Sequence, residues 1–355
     1  MPAAKITGTG SYIPEQRVAN NFFLKHRFFK PGGERIDSDP QEIVDKFKAI
    51  TGISERRYAR AGQLTSDLGT LAARRALEGS GIDPESLDGV VMAHNFGNIP
   101  HGKSQSDILP SLATRVKHDL GIKNPNCIAF DILYGCPGWL EALILGETYI
   151  AAGRGKKYLV VAAETLSRKL DPHDRDSMIF ADGAGAAVLE ATEEGDDEGI
   201  LSTASQTFTE KEAYYLYYDR SHNPDVGHKT RYIKMNGAKI FEFALTHVPA
   251  AMKLCLDRSG IPVDEVKKVL IHQANEKMDE AIIKRFYRQY RKPIPDLIMP
   301  MSIHLLGNSS VATVPTLLDR LLKGKLDGHQ VDKGDVIIMA SVGSGMSINA
   351  ITYRL

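Results

Sequence analysis

Cys136 is the residue in this sequence whose surroundings best fit a nucleophile. It lies in the segment DILYGCPGWLEALILGE, where a predicted strand runs into a Gly-Cys-Pro turn and a predicted helix begins. The unpaired N–H groups and the dipole of a helix N-terminus favour a thiolate, which is the form that exchanges thioesters. The alternative is a buried structural cysteine, the commoner situation for a free thiol. Cys127 and Cys255 lie in apolar strand and helix patterns and are predicted to be core residues.

His272 and Asn308 are two further polar side chains at the ends of predicted elements. His272 closes the predicted strand KKVLIH, and functional sites in α/β folds collect at strand ends. Asn308 follows a glycine and precedes a predicted helix in HLLGNSSVATVPTLL. Each residue has a structural alternative, which is a hydrogen-bonded histidine for the first and a helix cap for the second.

Helical and strand patterns alternate along the chain and predict an α/β fold. The predicted helices cover 66–79 (with Ser66 as its cap), 136–152, 240–258, 276–290 and 310–323, and the predicted strands cover 89–94, 157–163, 185–190, 267–272, 335–341 and 347–354. The helix over 136–152 is apolar on more than one side and is expected to be buried. An acidic run at 193–198 separates two α/β halves, which we predict at 1–195 and 196–355.

Charge and composition argue against several classes of function. Lys plus Arg and Asp plus Glu both number 44, whereas a general nucleic-acid binder needs a basic surplus. No apolar run approaches the roughly 20 residues of a membrane span, and the first 14 residues lack a signal-peptide pattern. We therefore expect a soluble cytoplasmic protein without a nucleic-acid or membrane partner. The three cysteines lack paired metal-ligand spacing, so no metal is expected.

Taken together, the GCPG, HQAN and GNSS segments resemble the β-ketoacyl-ACP synthase III family of thiolase-fold condensing enzymes. TGISER at 51–56, DPHDRDSMIFADGAGAAVLE at 171–190 and GSGMSINAITYRL at 343–355 resemble the same family. The likeness runs in order from about residue 5 to the last residue. The resemblance implies a thiolase-like layered αβαβα fold of two pseudo-duplicated halves, assembled as a homodimer.

The resemblance also implies a mechanism in which Cys136, His272 and Asn308 are the catalytic residues. Cys136 would take an acyl group from acyl-CoA or acyl-ACP. Malonyl-ACP would then lose carbon dioxide, and the resulting enolate would attack the acyl-cysteine and so initiate fatty-acid biosynthesis. His272 and Asn308 would donate hydrogen bonds to the enolate oxygen, and the backbone N–H groups of Cys136 and Ser344 would form an oxyanion hole. No cofactor is implied beyond the coenzyme A and acyl carrier protein thioesters that serve as substrates.

Substrate contacts follow from the same resemblance. Arg175, in DPHDRD, matches a family arginine that contacts coenzyme A. Phe241, in MNGAKIFEF, matches a tunnel position, with a place in a helix core as its alternative. Asn275 either supports the histidine or forms a turn.

Three positions depart from the family pattern for coenzyme A. Lys46 and Ile50 stand approximately where a stacking tryptophan and a phosphate-binding arginine are found, and Ala238 replaces an asparagine. The starter is therefore expected either to arrive on another thioester, such as acyl-ACP, or to have its nucleotide held differently. Trp139 and the segment 95–115 are expected to shape the acyl pocket.

A basic stretch on the predicted helix 276–290 is the candidate docking site for acyl carrier protein, which is acidic. Its members are Lys277, Lys284, Arg285 and Arg288, followed by Arg291 and Lys292. Lys284, Arg288 and Arg291 are three to four residues apart and so fall on one helix side. The alternative is an ordinary solvated helix face.

Related functions of the same fold stay open at this point. A thiolase needs a second cysteine near the C-terminus, and none follows Cys255; elongating synthases use two histidines, for which His304 is the second candidate. A secondary-metabolite condensing enzyme (polyketide, resorcinol or quinolone type) or an acyltransferase is one alternative, and a catalytically silent partner subunit is another. The Tyr-rich segment 206–231 is predicted to be an irregular lid or a subunit contact.

Overall fold

The computed structural model describes residues 3–193, 195–227 and 229–355, so Met1, Pro2, Glu194 and His228 lie outside the described residues. The first part of the chain forms β1 (Ala4–Tyr12), β2 (Gln16–Ala19), α1 (Pro40–Thr51), β3 (Glu55–Tyr58), α2 (Thr65–Ser80), β4 (Gly89–Ala93), α3 (Leu112–Asp119), β5 (Ile128–Ile132), α4 (Gly138–Ala151), β6 (Lys157–Thr165) and β7 (Asp182–Ala191).

The second part forms β8 (Gly199–Thr207), β9 (Leu216–Asp219), β10 (Tyr232–Met235), α5 (Gly237–Ser259), β11 (Val266–Ile271), α6 (Glu276–Gln289), α7 (Ile303–Leu306), α8 (Thr313–Leu322), β12 (Val336–Gly343) and β13 (Ser347–Arg354). Short 3₁₀ turns at Arg175–Ile179, Ser310–Ala312 and Ser344–Met346 join elements near the site described below.

Two mixed sheets form the centre of the fold. In the first sheet the strand order is β1-β7-β6-β4-β5; β4 is parallel to β5 and β6, and β7 is antiparallel to β6 and β1. In the second sheet the order is β11-β12-β13-β8, with β11 parallel to β12 and the other pairs antiparallel. Because β11 and β12 are parallel, their carboxyl ends lie at the same edge of the second sheet.

Helices α4 and α8 lie between the two sheets, since their apolar side chains share one core with both. Trp139 and Leu143 from α4 and Leu317 from α8 pack with Val160 of the first sheet and Ile337 of the second. Helices α2 and α3 pack on the other face of the first sheet, and α5 and α6 pack on the other face of the second. The layers therefore run helix, sheet, helix, sheet, helix, as the resemblance implied.

The predicted helices and strands are all present, with ends that shift by a few residues. One expectation about a helix end is wrong. The first turn of α2 is capped by Asp67, whose side chain accepts the Leu64 N–H at 2.8 Å, whereas Ser66 lies inside the helix. A carboxylate in the first turn can accept the N–H of the residue before the helix, and a serine at the cap can accept an N–H of the first turn. Both residue types therefore mark the start of a helix, and the serine was the wrong choice here.

The Tyr-rich segment is more regular than the sequence predicted, because β9 and β10 pair as an antiparallel ribbon. Lys234 of β10 is buried and forms ion pairs with Asp171 and Asp174 at 2.5 and 2.9 Å. A buried ammonium group needs such partners, and the pairs fasten the ribbon to the loop that follows β6.

The predicted division at residues 195 and 196 falls between β7, which belongs to the first sheet, and β8, which belongs to the second. It stays a prediction, since the core around α4 and α8 is shared by both sheets. Within the described ranges, no helix is long and apolar enough to cross a membrane.

Candidate active site

Cys136 lies in the turn between β5 and α4. β5 ends at Ile132, Gly135 takes a left-handed φ of 70°, and α4 begins at Gly138 after Pro137. The thiol therefore precedes the first turn of a helix that is buried between the sheets, as the sequence pattern predicted. Cys127 and Cys255 are buried as well, in agreement with their predicted core positions.

Burial dominates the acidity of the Cys136 thiol. Only 8% of the residue is exposed, and burial raises the pKa of the thiol to about 11 because the charged form loses its water. The Ser310 hydroxyl donates a hydrogen bond to Sγ at 3.2 Å, which lowers the pKa and so acts in the opposite direction. The expectation that the helix N-terminus keeps Cys136 as a thiolate is therefore wrong for the free protein, in which the sulfur is protonated at neutral pH.

The end of β12 lies directly against the Cys136 turn. A Cβ atom on Gly343 would stand 2.5 Å from the Cys136 backbone nitrogen, so only glycine fits at that position. A Cβ atom on Gly135 would likewise stand 2.9 Å from the Ser344 nitrogen. This contact brings the backbones of Cys136 and Ser344 together on the wall of one cavity, whose volume is about 450 Å³.

Asn308 is held by its own backbone to the loop before β7. Its N–H donates to the Ile179 carbonyl at 2.9 Å, and its carbonyl accepts from the Ala181 N–H at 2.7 Å. Its side-chain Oδ1 accepts the Ser310 N–H at 2.8 Å. The amide oxygen thus closes a local turn just before the 3₁₀ segment, whose cap position is held by Ser309, so the alternative of a helix cap at Asn308 is wrong.

His272 follows β11 and is neutral at physiological pH. Its N–H donates to the Ala340 carbonyl of β12 at 2.8 Å, which continues the parallel pairing by one residue. In the described part of the chain its Nδ1 atom is buried without a hydrogen-bond partner. Burial lowers the pKa of the imidazole to about 4, so the ring is uncharged at neutral pH.

The three predicted catalytic residues converge on one edge of the second sheet. Ile271 pairs with Ala340, so His272 lies beside Ser341, two residues before the glycine that touches Cys136. Asn308 joins the same group through Ser310, which bonds to the Cys136 sulfur. Cys136 and Asn308 are 172 positions apart in the sequence. The register of β11 against β12 and the turn at Asn308 bring the three residues together.

The cavity at Cys136 is largely apolar. Its apolar and aromatic lining consists of Phe96, Leu133, Tyr134, Leu166, Phe180, Leu216, Tyr217, Tyr218 and Ile233. Asn95 and Phe96 are the part of the predicted segment 95–115 that lines it. Trp139 does not line it, because its ring is buried in the core between the sheets and its indole N–H donates to the Val160 carbonyl at 3.4 Å. The expectation that Trp139 shapes the pocket is wrong for this reason.

A second cavity, of about 600 Å³, contains the predicted substrate contacts. Arg175, Phe241 and Asn275 all line it, as do the departing positions Lys46, Ile50 and Ala238. Arg175 is half exposed and lies 3.6 Å from Asp176, whereas Phe241 is on the exposed side of α5 and so is not a helix-core residue. Asn275 caps α6 by accepting the Met278 N–H at 3.1 Å, which favours its turn role over support of His272.

The linings of the two cavities come close to each other at the loop that Asn308 holds. Ile179 lines the second cavity and Phe180 lines the first, and the backbone of Asn308 bonds on both sides of Phe180. His272 lies two residues before Ala274, which also lines the second cavity. His272 and Asn308 are thus joined to the second cavity through neighbouring residues, whereas Cys136 lines the first cavity directly.

The remaining predicted residues lie away from these cavities. Lys277, Lys284, Arg285 and Arg288 are exposed on α6, and Arg285 donates to the Leu245 carbonyl at 2.9 Å. His304 lines a different cavity with Arg57 and His329, so it is not the second histidine of an elongating synthase.

Ser310 and Glu164 belong to the site without having been predicted there, and Asn95 was predicted only as part of the segment 95–115. Ser310 contacts the Cys136 sulfur, and Asn95 bonds to both Ser310 and Glu164. The available signal for Ser310 was the GNSS segment, of which it is the second serine. Asn95 follows β4 and Glu164 lies near the end of β6, and no local pattern connects them.

The neutral state of His272 makes a prediction about stability. Unfolded chains bind a proton at this histidine below about pH 6.5, whereas the native protein does so only below about pH 4. Stability is therefore lost as the pH falls through this window. The wild-type free energy of unfolding should fall between pH 6.5 and 4 by about 3 kcal/mol more than that of His272→Gln. Urea unfolding at a series of pH values measures it, and parallel curves for the two proteins would contradict a neutral buried imidazole.

Comparisons with known proteins agree with this geometry. Residues 130–208 match the family model described as 3-oxoacyl-[acyl-carrier-protein (ACP)] synthase III, and residues 256–355 match the model of its C-terminal part. The β-ketoacyl-[acyl-carrier-protein] synthase III of Sphingopyxis alaskensis is 32% identical over 358 residues, which cover 99% of both chains.

Solved structures agree as well. The 3-oxoacyl-[acyl-carrier-protein] synthase III of Aquifex aeolicus superposes with a TM-score of 0.79 at 30% identity, over 99% of this chain and 100% of that one. The priming β-ketosynthase of the R1128 polyketide biosynthetic pathway superposes with a TM-score of 0.80 at 27% identity, over 99% and 96%. The predicted thiolase-like fold is thereby confirmed. The chain belongs to the β-ketoacyl-ACP synthase III family and is a condensing enzyme of the acyltransferase type.

Proposed function

We propose that this enzyme carries out the decarboxylative condensation of an acyl thioester with malonyl-ACP through an acyl-Cys136 intermediate, and so initiates fatty-acid biosynthesis. The observation that carries the proposal is a buried thiol on the wall of an apolar cavity, to which the β11–β12 register and the Ser310 turn bring a neutral histidine and an asparagine. The apolar cavity at the sulfur suits an acyl chain, and the second cavity, which Arg175 and Phe241 line, suits a carrier arm.

In the first half-reaction the Cys136 sulfur attacks the thioester carbonyl of the donor. The C–S bond to Cys136 forms, the C–S bond to the carrier breaks, and the thiol proton ends on the released carrier thiol. Negative charge develops on the carbonyl oxygen, and backbone N–H groups of Cys136 and Ser344 stabilise it in the proposed oxyanion hole. The contact of Gly343 with the Cys136 turn supports this pairing of donors.

In the second half-reaction the malonyl thioester loses carbon dioxide. The electron pair of the broken C–C bond moves into an enolate, whose charge rests on the thioester oxygen. We assign His272 and Asn308 as its hydrogen-bond donors, and a neutral imidazole suits this role since no proton has to be abstracted. The enolate carbon then attacks the acyl-cysteine carbonyl and expels the Cys136 thiolate, which takes a proton from solvent. The reaction as proposed requires no metal or redox cofactor, because the carboxylate supplies the electron pair.

Arg175, Phe241 and Asn275 are the proposed contacts for the carrier arm in the second cavity. Arg175 supplies a cation near the mouth, and Phe241 supplies an apolar surface. Lys46 and Ile50 line the same cavity, so the altered positions lie within reach of the same ligand. Acyl-CoA and acyl-ACP both stay candidates for the starter. Acylation of the protein by a panel of both kinds of donor distinguishes them.

The protein is also proposed to be a cytoplasmic homodimer. The cytoplasmic location is supported by the proposed substrates, because coenzyme A and carrier-protein thioesters are intracellular. Exposed apolar side chains near the first cavity support the dimer: Ile108 is 53% exposed, Leu109 is 87% exposed and Leu133 is 62% exposed. The mass in solution by light scattering tests the dimer, and a monomer at micromolar concentration would exclude it.

A priming condensing enzyme of secondary metabolism is the second candidate function, and the R1128 relative favours it. That protein superposes as well as the fatty-acid relatives do. A catalytically silent subunit is disfavoured, since such a subunit has no need for a thiol aligned with His272 and Asn308. The two active candidates share the acyl-Cys136 intermediate and differ in the starter that the enzyme accepts.

Acylation of the nucleophile should be visible by intact mass. After incubation with a panel of acyl-CoA and acyl-ACP donors, the wild-type protein should gain one acyl group from its true starter. Cys136→Ala should gain none, whereas Cys127→Ala, which removes another buried thiol, should be acylated like the wild type. Failure of every donor, or equal acylation of Cys136→Ala, would refute the nucleophile.

The exposed basic residues of α6 form the proposed docking face for acyl carrier protein. Lys284 and Arg288 are one turn apart and exposed, so their charges can attract an acidic partner. Lys284→Glu with Arg288→Glu should raise KM for malonyl-ACP about tenfold at low ionic strength with little change in kcat. Arg285 is left unchanged in this variant because its side chain donates a hydrogen bond to the Leu245 carbonyl.

Two controls make this docking test specific. KM for malonyl-pantetheine, which lacks the protein, should not change in the double variant. Lys123→Glu reverses an exposed charge near the end of α3 and should leave KM for malonyl-ACP unaltered. An unchanged KM for malonyl-ACP in the double variant would show that the carrier docks elsewhere.

A further inference from the structure

A chain of hydrogen bonds extends from the Cys136 sulfur into the protein. The condensation mechanism proposed above gives it no role. The Ser310 hydroxyl donates to Sγ at 3.2 Å, and the Asn95 side-chain nitrogen donates to the Ser310 hydroxyl at 3.0 Å. The same nitrogen donates to Glu164 Oε1 at 2.5 Å. Ser310 is 3% exposed and Glu164 is 1% exposed, whereas Asn95 is partly exposed and lines the first cavity together with Cys136 and Ser310.

The number of hydrogens on each group determines which group donates in each hydrogen bond of this chain. The Asn95 amide nitrogen has two hydrogens, and Glu164 and Ser310 accept one each. Ser310 Oγ therefore receives a hydrogen bond, and its single proton is left for the sulfur. Rotation of the hydroxyl away from Cys136 would leave the Asn95 bond or the sulfur without a partner.

The backbone at Ser310 adopts a conformation that most residues avoid. Its φ is 53°, in the left-handed region that favours glycine, and the Asn308 side chain fixes it by accepting the Ser310 N–H at 2.8 Å. Unusual backbone of this kind in a non-glycine residue is often associated with functional positions. Glycine would relieve the strain at this position, so the presence of a serine there points to a use for the hydroxyl.

We propose that Ser310 is a further catalytic residue, whose hydroxyl stabilises the Cys136 thiolate, and that Asn95 and Glu164 are positioning residues that direct this hydroxyl at the sulfur. The proposal rests on the acyl-Cys136 mechanism. Charge appears on the sulfur twice, when it attacks the donor and when the enolate expels it. In both steps the hydroxyl keeps its proton on Oγ and acts only as a hydrogen-bond donor.

The charged groups around the sulfur are consistent with this role. Among the residues the structure describes, Glu164 is the charge that acts on Cys136, and its ionised form would raise the pKa of the thiol. Burial, aided by the charge of Asp182, raises the pKa of Glu164 well above its usual range, which favours the protonated form of its carboxyl group. Burial also lowers the pKa of His272, which follows β11, to about 4, so the imidazole is uncharged at neutral pH. The raised pKa of Glu164 thus favours a carboxyl group that accepts the Asn95 bond with less negative charge beside the nucleophile.

Alkylation of Cys136 by iodoacetamide tests the hydroxyl without any thioester. Ser310→Gly removes the hydroxyl and relieves the backbone, so its unfolding midpoint should equal or exceed that of the wild type. Loss of a hydrogen bond to a charged group raises a pKa by about one unit or more. At pH 8 alkylation of Cys136 should therefore be about three- to tenfold slower, since a more basic thiolate is intrinsically somewhat more reactive. Acyl transfer to Cys136 should slow by about tenfold or more.

Variants at Glu164 test the positioning part. Glu164→Ala releases Asn95 and should slow alkylation in the same direction as Ser310→Gly, whereas Glu164→Gln keeps a neutral acceptor and should restore the wild-type rate. Ser309→Ala removes the neighbouring hydroxyl, which bonds to Thr313, and should alkylate like the wild type.

Two results would overturn the proposal or part of it. Alkylation of Ser310→Gly within twofold of the wild type, in a folded protein, would overturn the role of the hydroxyl. Equal slowing in Glu164→Gln and Glu164→Ala would overturn the positioning by Glu164. Because alkylation needs no acyl donor, failure of the acylation panel with slowed alkylation in Ser310→Gly would reject the proposed function and leave the thiolate donor in place.

Discussion

The close contact between the end of β12 and the Cys136 turn is the constraint on which the site depends. The atoms that a side chain on Gly343 would displace are the backbone nitrogen and Cβ of Cys136 and the Cδ of Pro137. Because no side chain separates the two segments, the end of β12 in the second sheet packs against the N-terminus of α4, the helix that follows β5 of the first sheet. The same contact sets Ser344 beside Cys136 and, through the β11–β12 register, carries His272 to the same edge.

A second connection fixes the remaining member of the group. The backbone of Asn308 bonds to Ile179 and Ala181, and Gly307 before it has a φ of 66° and no room for a side chain beside buried Arg56. Arg56 in turn donates to the carbonyl of Met178 at 3.0 Å. The loop before β7 and the turn before α8 are thus held together by backbone hydrogen bonds and close packing.

The electrostatic character of the site follows from burial. The thiol and the imidazole are uncharged at neutral pH and the pKa of the Glu164 carboxyl is raised, since charged forms lose too much hydration in this interior. In such surroundings a few hydrogen-bond donors have a large effect on charge that appears during reaction. The arrangement suits a condensation in which an oxyanion, an enolate and a thiolate form in turn and in which the protein supplies donors rather than a strong base.

Local sequence determined the elements and singled out the candidate site residues. Strand, turn and helix around Cys136, the strand end at His272 and the glycine before Asn308 are all patterns that a few neighbouring residues specify. The tertiary structure decided what those patterns do. The thiol is protonated rather than ionised because of atoms contributed by distant segments, Trp139 is a core residue because α4 lies between two sheets, and Asn275 caps a helix. Asn95 meets Glu164 because β4 and β6 are neighbours in the first sheet, and it meets Ser310 through the packing of the turn before α8. Periodicity along a chain contains no information about which strands and turns will meet.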